Sequence, residues 1–165
     1  MHHVSAAGPL EPGPLLDGDL TLALVQYLPG RPSEGYVPMY RFHMRRASDG
    51  VRVGEVDLRI GLTDALRAYG GNVGYWVDPE FRGHRYAARA VRLLFGLARA
   101  HGMEALWITC APENVASRRT CEIVGGVLAD VVPLPADAHD AEPGRTMTCR
   151  YRVALPADDR ERGAP

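Results

Sequence analysis

Val73-Gly74-Tyr75-Trp76-Val77-Asp78-Pro79-Glu80-Phe81-Arg82-Gly83-His84-Arg85-Tyr86-Ala87 is the stretch on which the reading of this chain turns. Its first five residues form a strand-like run, and Asp78-Pro79 interrupts it. From about His84 to about Arg99 the pattern is that of an amphipathic helix. Ala87, Ala90, Val91, Leu94 and Leu97 fall on one stripe at the i, i+3, i+4, i+7 spacing of a buried face. A second strand, Ala105 to Cys110, leads to Asn114-Val115-Ala116-Ser117 and a short helix that stops at Gly125-Gly126. Two strand-to-helix junctions therefore lie roughly thirty residues apart, each presenting backbone N–H groups at a helix start, the first with arginines beside it. Helix starts offer free donors and a partial positive charge, so the arrangement suits a phosphate-bearing ligand.

The flanking sequence supplies strands. Leu20 to Leu28 read as a strand, Pro29 to Gly35 as turn material, and Tyr36 to Arg46 as a second strand alternating through Tyr40, Phe42 and Met44. Ser48-Asp49-Gly50 is a hairpin turn signal. Val51 to Ile60 place Glu55 and Asp57 on one face. Thr63 to Gly71 read as a loop. After Gly126, Val127 to Leu134 and Arg145 to Leu155 read as the last strands, with Ala136 to Gly144 as a polar loop between them. Residues 1–17, rich in Pro, Gly and Ala, read as a loose tail, 18–155 as one domain and 156–165 as a second tail.

The chain has 165 residues, 46% of them hydrophobic, which suits a single domain with an ordinary core. A net charge of −1 and a pI near 6.6 give no bulk positive field for nucleic acid. No apolar run reaches membrane-spanning length, and Met1-His2-His3-Val4-Ser5 lacks a basic region followed by an apolar core. The expectation is a cytoplasmic protein without membrane or nucleic-acid partner, a monomer or homodimer. Cys110, Cys121 and Cys149 read as free thiols, and His43, His84 and His101 have no ligand spacing, so no metal is expected.

The stretch from Val73 to Gly125 resembles the GNAT superfamily of acyl-CoA-dependent N-acyltransferases. The family's pyrophosphate loop, [Q/R]-x-x-G-x-[G/A], falls on Arg82 to Ala87; the first and last positions match and the middle glycine is Arg85. The wider run is close to the branch containing ribosomal-protein N-terminal acetyltransferases. A second pattern, N-x-x-S-x-R-x-x-E-x-x-G, falls on Asn114, Ser117, Arg119, Glu122 and Gly125 without a gap. The resemblance implies an α/β (α+β) fold: a mixed, mostly antiparallel sheet splayed between its fourth and fifth strands, with helices packed on it. Most members carry one or two helices between the first two strands. Here only about eight residues are available, too few for that pair.

The resemblance implies acetyl-CoA as co-substrate, bound by Val77, Arg82, Gly83, His84, Arg85, Tyr86 and Ala87, with Asn114 or Ser117 on the pantetheine arm. Asn114 also reads as an N-cap. With a side chain at Arg85 the loop backbone is expected to be less strained than in the parent motif. Phosphate contact and a solvated face stand level for Arg85 and Arg89, whereas Arg92 and Arg99 read as solvated. The function implied is transfer of an acetyl group to a primary amine, on a small molecule or a peptide N-terminus, by direct attack. The alternative is a GNAT-like module that binds acyl-CoA as sensor or scaffold with little catalysis.

Many members place a tyrosine proton donor four residues before the glycine that ends the fourth helix. That position is Cys121, which reads either as a donor or as a small buried residue. Glu55, mid-strand, is the candidate base, and Asn72 stands where this branch often has an acid. Weak acid–base equipment tilts the acceptor toward a low-pKa amine, such as a peptide N-terminus, an amino acid or an amino sugar, since an α-amine is neutral to roughly a tenth at pH 7 against roughly one part in a few thousand for a lysine amine. Tyr75 and Cys110 are expected near the thioester. Asp137, Asp140 and Glu142 in the last loop read either as part of a solvated surface loop or, as the resemblance implies, as bordering the acceptor side and attracting a cationic amine.

Overall fold

The computed structural model describes residues 8–138 and 142–157. Eight strands run in the order β1 (Leu16–Asp17), β2 (Leu20–Leu28), β3 (Met39–Arg46), β4 (Arg52–Arg59), β5 (Val73–Val77), β6 (Ala105–Cys110), β7 (Val127–Pro133) and β8 (Met147–Ala154). Helices α1 (Tyr86–Leu93) and α2 (Phe95–Ala100) separate β5 from β6, and α3 (Val115–Ile123) separates β6 from β7. β1 to β5 form one sheet in sequence order, and β6, β8 and β7 form a second in that spatial order. Every ladder is antiparallel.

Alternation decides which face of the first sheet is covered. Leu20, Leu22, Tyr40, Phe42, Met44, Val56 and Leu58 are buried, and with Val91, Leu94, Leu97, Ile108 and Tyr151 they form the core. Burying side chains of this size stabilises by roughly 1.5–3 kcal/mol each. The opposite face is charged. Arg41 and Asp57 sit directly opposite each other on β3 and β4, and Arg41 donates to both carboxylate oxygens, at 2.9 and 3.0 Å.

The helix read from about His84 to Arg99 is interrupted. Leu94 N–H donates to Val91 O at 3.1 Å, tightening the last turn of α1 before α2 begins at Phe95. The stripe still holds: Ala90, Val91, Leu94 and Leu97 are buried, and Ala87 is half-buried. The β2–β3 connection carries one short 3₁₀ turn, Pro32–Glu34, closed by a bridge between Arg31 and Tyr36, and no helical pair.

The reading of 1–17 as a loose tail does not hold for residues 10–17. Leu10 and Leu15 pack against the core, β1 pairs with β2, and Arg89 donates to Asp17 and Asp19. Leu10 N–H also donates to Tyr40 Oη at 2.8 Å. That hydroxyl lies 2.7 Å from His101 Nε2. Burial lowers the His101 pKa below its usual 6.5. Folding therefore favours neutral His101. Its contribution is fully present above pH 6.5 and is lost as pH falls through the folded-state value, since the unfolded chain binds the proton first. Thermal melting of the wild type is expected to fall more steeply below pH 6.5 than that of His101→Gln; parallel curves would remove His101 as the titrating group.

Candidate active site

β5 and β6 share no ladder; they diverge, and the opening between them is the centre of the site. They correspond to the fourth and fifth strands read from the sequence. Asn72, buried at the start of β5, joins them. Its backbone N–H donates to Trp107 O at 2.6 Å, and its Oδ1 accepts from Trp107 N–H at 2.8 Å. Its Nδ2 donates to Arg59 O at 3.2 Å and Gly61 O at 2.7 Å. The segment read as a loop contains a π-helical turn, Leu66–Gly70, that leans on β6; Thr109 Oγ1 donates to Tyr69 O at 2.5 Å. Gly71 then passes so close to β6 that a Cβ would lie 3.0 Å from Trp107 O, and its φ of 68° favours glycine.

Two cavities meet in the opening. A groove of about 430 Å³ runs along the start of α1 and the first turn of α3. It is lined by Val77, Arg82, Gly83, Arg85, Tyr86, Ala87, Asn114 and Ser117, eight of the nine residues expected to hold the cofactor. His84 is not among its lining residues; it is exposed, with its ring 5.3 Å from that of Tyr86. A wider cleft of about 830 Å³ lies on the other side, walled by the β2–β3 connection, the Leu66–Gly70 turn, β5, β6 and, from the connection before β8, Glu142 and Arg145. Tyr75, Asn114 and Ser117 line both.

The groove suits a pyrophosphate. Helices are usually capped by a short polar side chain, but Arg85 precedes α1 and makes no capping hydrogen bond, leaving the first-turn amides for a ligand. Gly83 has φ 95°, and a Cβ there would meet nothing within 4 Å. Arg85 has φ 57° and ψ 28°, the sole non-glycine with positive φ among the described residues. The expectation of a relaxed loop is thus overturned: the chain keeps the shape of the glycine motif and places an arginine in it, at about 1–2 kcal/mol of strain. Arg85→Gly removes that strain but adds about 0.5–1 kcal/mol of unfolded-state entropy. We expect a melting temperature about 1–3 °C higher together with roughly ten-fold weaker CoA binding, as a charge-assisted contact is lost. A variant that is less stable and binds CoA equally well by calorimetry would count against both halves.

The other arginines are sorted by their partners. Arg82 Nε donates to Val77 O at 3.0 Å while its guanidinium stacks 4.8 Å over the Trp76 ring, which fixes the stem at the groove's rim. Arg89 is committed to Asp17 and Asp19 and does not line the groove, so the phosphate reading is withdrawn for it. Arg92 donates to Ile123 O and Arg99 to Pro156 O.

Asn114 caps α3 as read, its Oδ1 accepting from Ser117 N–H at 3.1 Å. Ser117 Oγ lies 2.7 Å from Tyr75 Oη, a pairing the sequence did not reveal. Tyr75 loses solvent on burial, which pushes its phenol well above the usual value, so it stays protonated; its hydroxyl also reaches Ser117 O at 3.4 Å. Cys121 is fully buried beneath them, with Sγ 4.0 Å from Tyr75 Oη. The Cys110 thiol beside it and its burial both push the Cys121 thiol up, and it lines neither cavity. Cys110 does line the cleft, and its thiol is drawn down by the hydrogen bond from Cys121 and the charges of Arg145 and Arg118.

Glu55 stands apart. It pairs across the strands with Trp76, on the sheet face opposite Tyr75, and lines neither cavity. Arg41, His43 and Arg52 surround it at 3.2, 3.6 and 3.7 Å. The expectation that it serves the cleft as base is therefore not met by its placement: alternation along β4 turns it away. Of the three loop carboxylates, Glu142 lines the cleft, Asp137 is exposed and does not, and Asp140 lies outside the described residues. Among the described residues no cluster of His, Cys, Asp or Glu is arranged to hold a metal, and no helix is long and apolar enough to cross a membrane.

The family model for the acetyltransferase (GNAT) domain matches residues 21–127. No curated protein sequence matches the chain. Among solved structures, the ribosomal-protein-S5-alanine acetyltransferase from Vibrio fischeri superposes with a TM-score of 0.62 at 12% identity, over 86% of this chain and 96% of that one. RimL, the ribosomal L7/L12 alpha-N-protein acetyltransferase, in complex with coenzyme A, gives 0.57 at 20% identity, over 76% of this chain and 66% of that one. The microcin C7 self-immunity acetyltransferase, in complex with acetyl-CoA and AMP, gives 0.53 at 17% identity, over 71% and 61%. The chain thus spans less than two thirds of the length of the last two proteins.

Proposed function

This chain belongs to the GNAT acetyltransferase family, and within it we propose that it transfers an acetyl group from acetyl-CoA to a primary amine by direct attack. The observation that carries this reading is the meeting of the two cavities at Tyr75, Asn114 and Ser117. The α1 groove takes the pyrophosphate and Asn114 borders the pantetheine arm, so the thioester falls at the junction. An amine entering through the wider cleft then faces the thioester carbonyl. The acceptor is a small molecule or a peptide N-terminus; RimL's description as an alpha-N-protein acetyltransferase supports the second.

Ser117 is the proposed proton donor. The amine nitrogen bonds to the carbonyl carbon, the C–S bond breaks, and the departing thiolate takes the Ser117 hydroxyl proton. In this proposed step the Tyr75 hydroxyl, 2.7 Å from Ser117 Oγ, turns its hydrogen to that oxygen and steadies the charge left there until the proton shed by the attacking amine replaces it. Glu55 and Cys121 have no step in this scheme, because neither borders the cleft. All three cysteines are free, which supports a cytoplasmic setting.

The test is thiol release from acetyl-CoA across a panel of α-amines, lysine amines, amino sugars and polyamines. Turnover with an α-amine supports the reading. Tight CoA binding by calorimetry with no thiol release from any amine would establish the binding-module alternative instead.

A further inference from the structure

The charges that line the acceptor cleft run against the expectation of a cationic pull. They are Arg31, Arg59, Arg145 and Glu142. Arg31 is already neutralised, 2.8 Å from Glu34 and stacked on Tyr36. Arg59 and Arg145 have no carboxylate partner among the described residues. Elsewhere some half-buried arginines are paired with acids, Arg41 with Asp57, Arg89 with Asp17 and Asp19, Arg150 with Asp130, while Arg99 and Arg118 bond to neutral groups away from the cleft.

Both cleft arginines are held in place by neutral groups. Arg59 Nη1 donates to Gly71 O at 3.4 Å, and its guanidinium lies over Gly74, where an added Cβ would stand 3.7 Å from it. Arg145 donates to Met147 O and to the buried Thr148 hydroxyl. These contacts orient the guanidinium groups without cancelling their charge. Arg59 belongs to the five-stranded sheet and Arg145 to the approach to β8, so two separate elements bring an arginine to the same cleft.

Resting on the acetyltransferase reading above, we propose that the acceptor carries a carboxylate as well as its amine, and that Arg59 and Arg145 grip that carboxylate across the cleft. A guanidinium offers donors in a planar fork that matches a carboxylate, and a half-buried pair with no salt-bridged acid among the described residues presents that match to whatever enters. Two sources share this chemistry: a free amino acid, through its α-carboxylate, and a peptide N-terminus with an acidic side chain near it. Amino sugars and polyamines lack it.

The experiment uses matched pairs. Free amino acids are compared with their C-terminal amides, and tripeptide amides beginning Ser-Asp or Ser-Glu with those beginning Ser-Asn or Ser-Gln. Thiol release from acetyl-CoA is read for the wild type, Arg59→Gln and Arg145→Gln. One charge-assisted pair corresponds to about a ten-fold preference or more in kcat/KM for the carboxylate form. Each variant is expected to shrink that preference by raising the acceptor KM, with the KM for acetyl-CoA unchanged. Preference for free amino acids over their amides identifies the first source, and preference for acidic tripeptides the second.

Equal rates for acid and amide forms, or a preference untouched by both substitutions, would overturn the proposal while leaving the acetyltransferase reading intact. A binding arm covers the case of no turnover. Calorimetry of N-acetylglutamate, N-acetylserine and their amides against the CoA-loaded protein must show the same acid preference and its loss in the variants. No preference there refutes the proposal even where catalysis itself is absent.

Discussion

Asn72→Asp is expected to be among the most damaging single-atom exchanges in this chain, lowering unfolding stability by about 3–5 kcal/mol. The substitution replaces Nδ2 by an oxygen. Arg59 O and Gly61 O, which accept from that nitrogen at 3.2 and 2.7 Å, lose their donor and face a buried carboxylate instead. Asn72 is 1% exposed, so water cannot readily make good the loss. For a chain of this size each kcal/mol shifts melting by roughly 2–4 °C, so a drop on the order of 10 °C is predicted. Function should follow, because Asn72 is where β5 and β6 are tied before they part. A looser joint misplaces Tyr75 against Ser117, so kcat should fall further than CoA affinity. Asn72→Ala, which removes the same bonds without adding charge, should cost about 2–4 kcal/mol. Wild-type melting in both variants at neutral pH would show that the joint is held by other contacts.

Asn72 also shows where sequence reading runs out. Read along the chain it is an absent acid. In space it is a side chain that must both donate and accept, which an ionised carboxylate does not do. The strands and the two helix starts were legible because alternation, the 3.6-residue stripe and the glycines at 83 and 125 act locally. Asn114 as a cap was legible for the same reason. The faces of β4 were legible too, but not which one the cleft would open on, and that choice removed Glu55. Arg85 in a left-handed conformation, Arg89 bound to the N-terminal segment, and the Tyr75–Ser117 contact depend on partners 42 to 72 positions away or on a shape imposed by the surrounding loop. No local pattern encodes those. The sign of the cleft was misread because loop acids are visible in a run of sequence, whereas Arg59 and Arg145 converge only after folding.

Ser117→Ala should reduce kcat by about a hundred-fold or more, the usual scale for a lost general acid, with acetyl-CoA affinity within about three-fold of wild type. The cap of α3 uses the Ser117 backbone N–H, not its hydroxyl, so the helix and the groove survive the change. What is lost is the aliphatic hydroxyl of a residue that borders both cavities, with a protonated phenol 2.7 Å from it. Tyr75→Phe removes that support while keeping the donor, and should cost less, about ten-fold in kcat. Cys121→Ser supplies the contrast. The thiol is fully buried and held protonated, so replacing it introduces a hydroxyl into the core. The variant should melt lower by the amount typical of an under-satisfied buried polar group, about 1–3 kcal/mol, with kcat little changed. The three variants thus separate chemistry from packing by opposite signatures: rate without melting for Ser117, melting without rate for Cys121, and a smaller rate loss for Tyr75. Should Ser117→Ala turn over at near the wild-type rate while Cys121→Ser is slow at unchanged stability, the proton comes from the thiol after all, and the Tyr75–Ser117 pair is structural.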